Sequence, residues 1–449
     1  MTNRSLAEWL DWAGRQHPVG IDMGLERVSQ VAERLGFEAP GRRPAPRTII
    51  VAGTNGKGST TIFTEALLRA SGFRVGATIS PHIHTFNERV RIDGQAVDDV
   101  TLATAFAAVE AARGDITLTY FEYSALVALW TFRASEVDVA VLEVGLGGRL
   151  DAMNLVSADI AIVTSIGLDH EAFLGSDLEG IGREKAGVFR PGCTAVIGSD
   201  VTRSVHAEAA RLGCRIRVMG QDFAIEATPH SWTWKSADLL LDELPWGQLA
   251  PYNCALAIEA VRALAPVTET AVRGALSVAT LPGRCEPWSL AGIRVIVDVA
   301  HNPAGAVFLR DLLAHRYPTV RFVAILGMLA DKDASGVPPA FAASTVTCWI
   351  ATSSRGPRGR SATDLARQLP ADNVRVADAP AEALNAALEL VRSGAADAVL
   401  GFGSFSLVED LRNELQARGG LRQPTVGADL QSNEQALAGR HNDSSVSVR

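Results

Sequence analysis

Cysteine is scarce and unpatterned in this chain: Cys193, Cys214, Cys254, Cys285 and Cys348 are its only five, without a CxxC pair or a regular framework. Such spacing argues against a disulfide scaffold and for reduced thiols inside a cell. No apolar run reaches the length that a bilayer crossing requires. The formal charge of -8 carries no long basic run, so the electrostatic footprint of a nucleic-acid or anionic-membrane binder is missing. At the start, Leu6, Trp9, Leu10 and Trp12 alternate with charges, which predicts an amphipathic helix rather than a signal peptide. The expectation is a cytoplasmic protein with small-molecule partners and no nucleic acid or membrane partner. It is expected to be a monomer, because no separate apolar helix face is left over.

What is present is core. With 449 residues, 47% of them hydrophobic, the chain can bury more than one compact unit usually holds, and two domains follow as the prior. From Arg47 onward, short β-rich runs at Thr48 to Ala52, Val75 to Ile79, Val137 to Leu142 and Ile160 to Ser165 alternate with helical patterns. That is the signature of a parallel sheet covered by helices. Phe223 to Leu244 alternates Trp232, Trp234 and Leu240 with polar residues, predicting antiparallel strands appended to that sheet. Helices are expected at Tyr252 to Leu264 and Thr268 to Ala279. Leu281-Pro282-Gly283-Arg284 breaks the pattern, and a second β/α alternation starts at Ile293 to Val297, continuing at Phe322 to Leu326 and Ala398 to Leu400. The boundaries expected are 1–282, 283–418 and a polar, disordered tail over 419–449.

The chemistry begins where the strand Thr48 to Ala52 runs into Gly53-Thr54-Asn55-Gly56-Lys57-Gly58-Ser59-Thr60 and then a helical pattern. Strand, glycine loop and helix N-terminus in this order make a phosphate cradle. Glycines let backbone N–H groups turn onto phosphate, Lys57 brings a mobile positive charge, and the Ser59 hydroxyl can meet magnesium. The strict P-loop pattern would place glycine at position 51 and Ser or Thr at 58, where this chain has Val51 and Gly58. Glu143 and His170 fall at or beyond the carboxyl ends of two predicted parallel strands, where open sheets bind ligands. A carboxylate, an imidazole and a hydroxyl from Ser59 or Ser80 are suitable magnesium ligands, with phosphates filling the remaining positions.

Other residues are ordinary by themselves. Lys185, in Gly182-Arg183-Glu184-Lys185-Ala186-Gly187 at an expected helix start, is a solvated lysine; Asn253 is a helix cap; Arg284 is a hinge arginine; and Asp22 caps a helix entry. Pro303, after Asp298-Val299-Ala300-His301-Asn302, suits the first turn of a helix.

GTNGKGST, with Ser80-Pro81-His82, Glu143-Val144-Gly145-Leu146-Gly147-Gly148-Arg149-Leu150-Asp151-Ala152 and Asp169-His170, resembles the Mur ligase superfamily, and more narrowly the bacterial dihydrofolate synthase/folylpolyglutamate synthase family. The likeness spans Leu6 to about Leu411. It implies the Mur ligase architecture: a P-loop NTPase-like parallel sheet domain with appended β-strands, then a smaller Rossmann-like α/β domain. It implies ATP and two magnesium ions as cofactors, with dihydropteroate, tetrahydrofolate and L-glutamate as substrates. ATP would lie against Thr54, Asn55, Gly56, Lys57, Gly58, Ser59, Asn253, Arg284 and Asp298. Metal would be held by Ser59, Ser80, Glu143, His170 and Lys185, the last as a carbamate formed with carbon dioxide. Dihydropteroate would meet Asp22, Met23 and Gly24, then Thr119, Tyr120, Phe121 and Glu122, and finally Leu150, Asp151 and Ala152. Lys57, Lys185 and His301 would carry catalysis. Where the family has alanine and threonine, this chain has Cys254 and Met153. Two other readings are a superfamily ligase for another carboxylate and amine, and a regulatory ATPase that ligates nothing.

Overall fold

The computed structural model describes residues 4–37, 43–342, 345–356, 358–370 and 373–423. Eight strands, β1 (Arg47–Ala52), β2 (Val75–Thr78), β3 (Val90–Ile92), β4 (Gln95–Ala96), β5 (Val139–Glu143), β6 (Ile160–Val163), β7 (Thr194–Ile197) and β8 (Arg215–Val218), form one sheet in the order 4-3-2-5-1-6-7-8. From β2 to β8 all neighbours run parallel. β1 lies centrally and every residue after Arg47 in it is buried, as a strand covered on both faces demands. Its two neighbours are β5, ending in Glu143, and β6, leading to Asp169 and His170. Pairing alone therefore delivers the glycine loop, the carboxylate and the imidazole to one sheet edge.

The expected antiparallel strands are β9 (Phe223–Ala227), β10 (Ser231–Ser236) and β11 (Leu240–Pro245), and they form a separate three-stranded sheet rather than extending the first one. Phe223, Trp232 and Trp234 pack into the core beneath the helices Lys57–Ala70 and Pro251–Arg262.

The second unit is a seven-stranded sheet of β12 (Glu286–Leu290), β13 (Ile293–Asp298), β14 (Phe322–Leu326), β15 (Val346–Thr352), β16 (Val374–Ala377), β17 (Ala398–Phe402) and β18 (Leu421–Arg422), in the order 16-15-14-17-13-12-18. β12 went unread in the sequence, because Glu286 and Pro287 hide a strand that starts immediately after the linker. β18 corrects the expected tail: Leu421 and Arg422 pair with Ser289 and Trp288 on the edge left open by β12. The rest of that tail, 424–449, lies outside the described residues. No helix of the described residues is long and apolar enough to cross a membrane.

Three local expectations change. The Gly182–Gly187 cluster closes the helix Leu178–Ala186 rather than opening one, which puts Lys185 on a buried face. Asn253 is no cap: the helix starts at Pro251 behind Ala250, so Asn253 sits inside its first turn. Asp22 caps nothing; the helix Glu26–Arg34 begins behind Leu25 without a side-chain cap, and Asp22 pairs instead with Arg27 at 2.7 Å.

Candidate active site

Gly56 caps the helix Lys57–Ala70 in the left-handed region, at φ 84°, which glycine alone adopts without cost. A Cβ there would lie 2.4 Å from Asn253 Oδ1, so the loop and the helix Pro251–Arg262 fit only because the side chain is absent. Gly53 is equally constrained, since its Cβ would stand 1.9 Å from Thr164 Oγ1. Thr164 in turn donates to Asn55 O at 2.6 Å and stiffens the loop from β6. Replacing Gly56 by alanine is expected to cost about 1–2 kcal/mol for the left-handed residue, besides displacing Asn253. Calorimetry should show a lower Tm together with weaker nucleotide binding; a variant melting and binding as the parent does would refute the packing.

Lys57 Nζ donates to Gly53 O at 3.0 Å and Thr54 O at 3.1 Å, inside its own loop. Burial pushes its pKa down, opposed by the charges of Glu143 and Asp169. Burial likewise pushes Glu143 up, opposed by Lys57 and by the amide of Ser80, which donates to its Oε2 at 2.8 Å. The carboxylate's Oε1 has no protein donor among the described residues. A triphosphate carries the negative charge that Lys57 is short of, and a divalent cation the positive charge that Glu143 is short of. Among the described residues no cluster of three His, Cys, Asp or Glu side chains stands ready for a metal. The donor set is therefore two protein groups and serine hydroxyls, which suits a magnesium ion that arrives with phosphate oxygens and water.

His170 follows β6 in the left-handed region, at φ 53°, and burial lowers it to about 4, leaving a neutral ring able to donate a lone pair. Lys185 reaches the same edge, its Nζ donating to Gly53 O at 2.9 Å. Burial, helped by the charge of Lys57, lowers it to about 7.

Facing this edge is the second unit. Arg284 leaves the linker half-buried, its guanidinium 5.4 Å from the Phe405 ring. Asp298, at the end of β13, accepts from Cys285 N and Ala300 N, both at 2.7 Å, so its carboxylate ties linker to strand. Asn302 caps the helix Pro303–Arg316, with Pro303 in the first turn as expected. His301 has acceptors at both ring nitrogens: Val299 O at 2.9 Å and Asp169 Oδ2 at 3.2 Å.

The result is one cavity of about 480 Å³ between the two units. Its lining includes Thr54, Asn55, Gly56, Lys57, Gly58, Ser59, Ser80, Glu143, His170, Asn253, Arg284, Asp298 and His301, every expected nucleotide and metal residue except Lys185. Lys185 lines a small recess shared with Lys57, Asp169 and His170 at its end.

The residues expected around dihydropteroate are less gathered. Arg27 links two of their segments, bonding Asp22 at 2.7 Å and Glu122 at 3.2 Å. Thr119 is the N-cap of the helix Tyr120–Ala134, and Glu122 completes its capping box, so both have local structural work. Asp151 accepts from the amides of Gly145, Leu146 and Met153 at 2.8–3.0 Å, which shapes the Gly145–Gly148 turn. Phe121 lies over Gly145 and Ala152 is buried, while Tyr120 stands 5.7 Å from the Arg89 guanidinium. Met23 and Leu150 instead line a separate, open cavity; Gly24 adjoins Glu26.

Two residues of the cleft that the sequence reading did not single out are Asp169 and Lys332, which form a salt bridge across it. Asp169 lay within a quoted motif, but Lys332 stands more than a hundred and fifty residues further along the chain, and nothing local signals their meeting. A third is buried Gln248, whose amide donates to Leu281 O at 2.8 Å and Arg284 O at 2.7 Å and so fixes the linker.

Comparison with known proteins gives a consistent neighbourhood. Residues 51–237 match the Mur ligase middle domain and residues 283–405 the Mur ligase glutamate ligase domain. The dihydrofolate synthase/folylpolyglutamate synthase of Escherichia coli is 43% identical over 415 residues, covering 92% of this chain and 96% of that protein. The protein of the same name from Mycobacterium tuberculosis is 32% identical, covering 86% of each. Among solved structures, E. coli FolC in complex with DHPP and ADP superposes with a TM-score of 0.85 at 41% identity, covering 93% of this chain and 99% of that one. The bifunctional enzyme of Yersinia pestis complexed with AMPPNP and Mn ion gives 0.83 at 40% identity, covering 92% and 98%.

Proposed function

This chain belongs to the dihydrofolate synthase/folylpolyglutamate synthase family of Mur ligases, and we propose that it joins L-glutamate to 7,8-dihydropteroate and extends tetrahydrofolate with further glutamates, at the expense of ATP. The observation that carries this reading is the convergence of Lys57, Glu143, His170 and Arg284 on one cavity between the two units. We place the unit boundary at the Leu281–Arg284 linker and read the enzyme as a cytoplasmic monomer.

The glycine loop and Lys57 cradle the triphosphate of ATP, with Asn253 and Asp298 on its nucleoside side and Arg284 reaching its phosphates. Ser59, Ser80 and Glu143 would hold one magnesium ion, and His170 with a carbamate on Lys185 a second. Bound there, magnesium supplies charge neutralisation along the phosphates. The substrate carboxylate attacks the γ-phosphorus, its P–O bond to ADP breaks, and an acyl phosphate results. The protein's part is to hold the reacting oxygens in line and to keep positive charge where negative charge gathers. The amine of glutamate then attacks the activated carbonyl and phosphate departs. Closure about the linker excludes water, which would otherwise consume the acyl phosphate. Support for the carbamate is that Lys185 is buried and held to about 7, so its amine is substantially neutral near neutral pH, the form that adds carbon dioxide.

The test is incubation with ATP, magnesium, glutamate and dihydropteroate, read by product mass. Dihydrofolate is expected, with ADP release dependent on both co-substrates. Steady ADP release without either would mark a regulatory ATPase; turnover of only some other acid would mark a different ligase.

A further inference from the structure

Asp169 belongs to the eight-stranded unit, yet most of what it holds comes from the other one. Its Oδ1 takes the Lys332 ammonium, and its Oδ2 takes His301 Nε2 and Asn302 Nδ2, each at 3.2 Å. Its own loop supplies a fourth donor, the amide of His170 at 2.8 Å to Oδ1. Both oxygens are thus occupied, which sets Asp169 apart from Glu143, whose Oε1 has no protein donor among the described residues, and argues against a metal-ligand role. The pair it makes with Lys332 is shielded, each side chain being only 8% exposed. Beside it, the side-chain amides of Asn302 and Asn55 bond each other at 3.3 Å, which adds the glycine loop to the same bridge.

We propose that Asp169 is a positioning residue that latches the second unit over the cavity, seating the His301–Asn302 turn and Lys332 against the glycine loop so that the site is closed while the activated acid exists. Removing one member of a shielded ion pair leaves its partner charged and uncompensated, so the closed state is weakened far more than loss of a surface pair would weaken it. The latch concerns closure, and its catalytic consequence rests on the acyl-phosphate reading above.

The experiment compares the full-length parent with Asp169→Asn, a change that keeps shape and removes charge. Small-angle X-ray scattering of each, without substrates, should give a larger radius of gyration for Asp169→Asn. In the ligation assay, amide formation should fall by about tenfold to a hundredfold, the range associated with small misplacements of reacting groups. ADP released per amide should rise, because an open site lets water take the acyl phosphate. KM for dihydropteroate should change less than about twofold, since substrate binding in the ground state is not what the latch supplies. Lys332→Met should move scattering and coupling in the same direction, and the double variant should be no worse than Asp169→Asn alone, as for residues acting as one unit. If Asp169→Asn fails to fold, Lys332→Met carries the same readouts. Unchanged dimensions with unchanged ADP per amide, or strictly additive losses, would overturn the latch. If the parent forms no amide from dihydropteroate, the functional reading fails while scattering still decides the latch.

Discussion

Replacing Lys57 by alanine is expected to lower amide formation by at least about a hundredfold to a thousandfold, the scale of removing one preorganised charge from a transition state in a dry site. The size follows from position. Lys57 is the cation of the glycine loop, and its ammonium rests 3.0 Å from Gly53 O, against the same loop that turns its amides toward phosphate. The fold should tolerate the change. Lys57 is half-buried and its ammonium is partly desolvated, which lowers its pKa, and the two carbonyls it leaves belong to a loop also held by Thr164 and Ser165. Circular dichroism should therefore show a melting temperature near that of the parent while turnover is lost. Substantial turnover by folded Lys57→Ala would remove the role assigned to it.

The second large effect is expected at Lys185. Lys185→Ala should lose roughly tenfold to a hundredfold in metal affinity or activity, the range seen when a group supporting a metal is removed. A short carboxylate or bicarbonate added to the variant should restore part of it, by supplying the missing oxygen ligand. Intact-mass measurement of the parent, kept in bicarbonate, should show the added mass of one carbon dioxide, absent from Lys185→Ala. The pH direction follows from the lysine's own titration. With the group lowered to about 7, the neutral amine is depleted as pH falls below that value, so activity should drop on the acid side and recover with bicarbonate. Activity indifferent to loss of the lysine would eliminate an essential carbamate.

These effects trace back to features of unequal visibility in the sequence. The glycine loop was legible because its chemistry is contiguous: strand, glycines, lysine and helix start lie within a few residues. Glu143 and His170 were legible because strand ends in parallel sheets gather ligands, and β1 does pair with both β5 and β6. By its local residues alone Lys185 reads as solvated at a helix start, while the family resemblance points it to the site; which face a short helix buries depends on a neighbour, here the loop carbonyl of Gly53. Asn253 looked like a cap, although its work is to pack on Gly56 from inside a helix. Asp169, Lys332 and Gln248 matter only through partners far along the chain, and no periodicity or local motif encodes such meetings. Strand β12 was hidden for a related reason: its β character comes from pairing with β13 more than from its own residues.

The most direct measurement follows the oxygen atoms of the substrate. Dihydropteroate with heavy oxygen in its carboxylate is incubated with ATP, magnesium, glutamate and the enzyme, and the released phosphate is weighed by mass spectrometry. One labelled oxygen per phosphate, in step with dihydrofolate formed, is the expected result, because the acid attacks the γ-phosphorus before the amine displaces phosphate. Phosphate free of label alongside labelled dihydrofolate would contradict activation of the acid at this site.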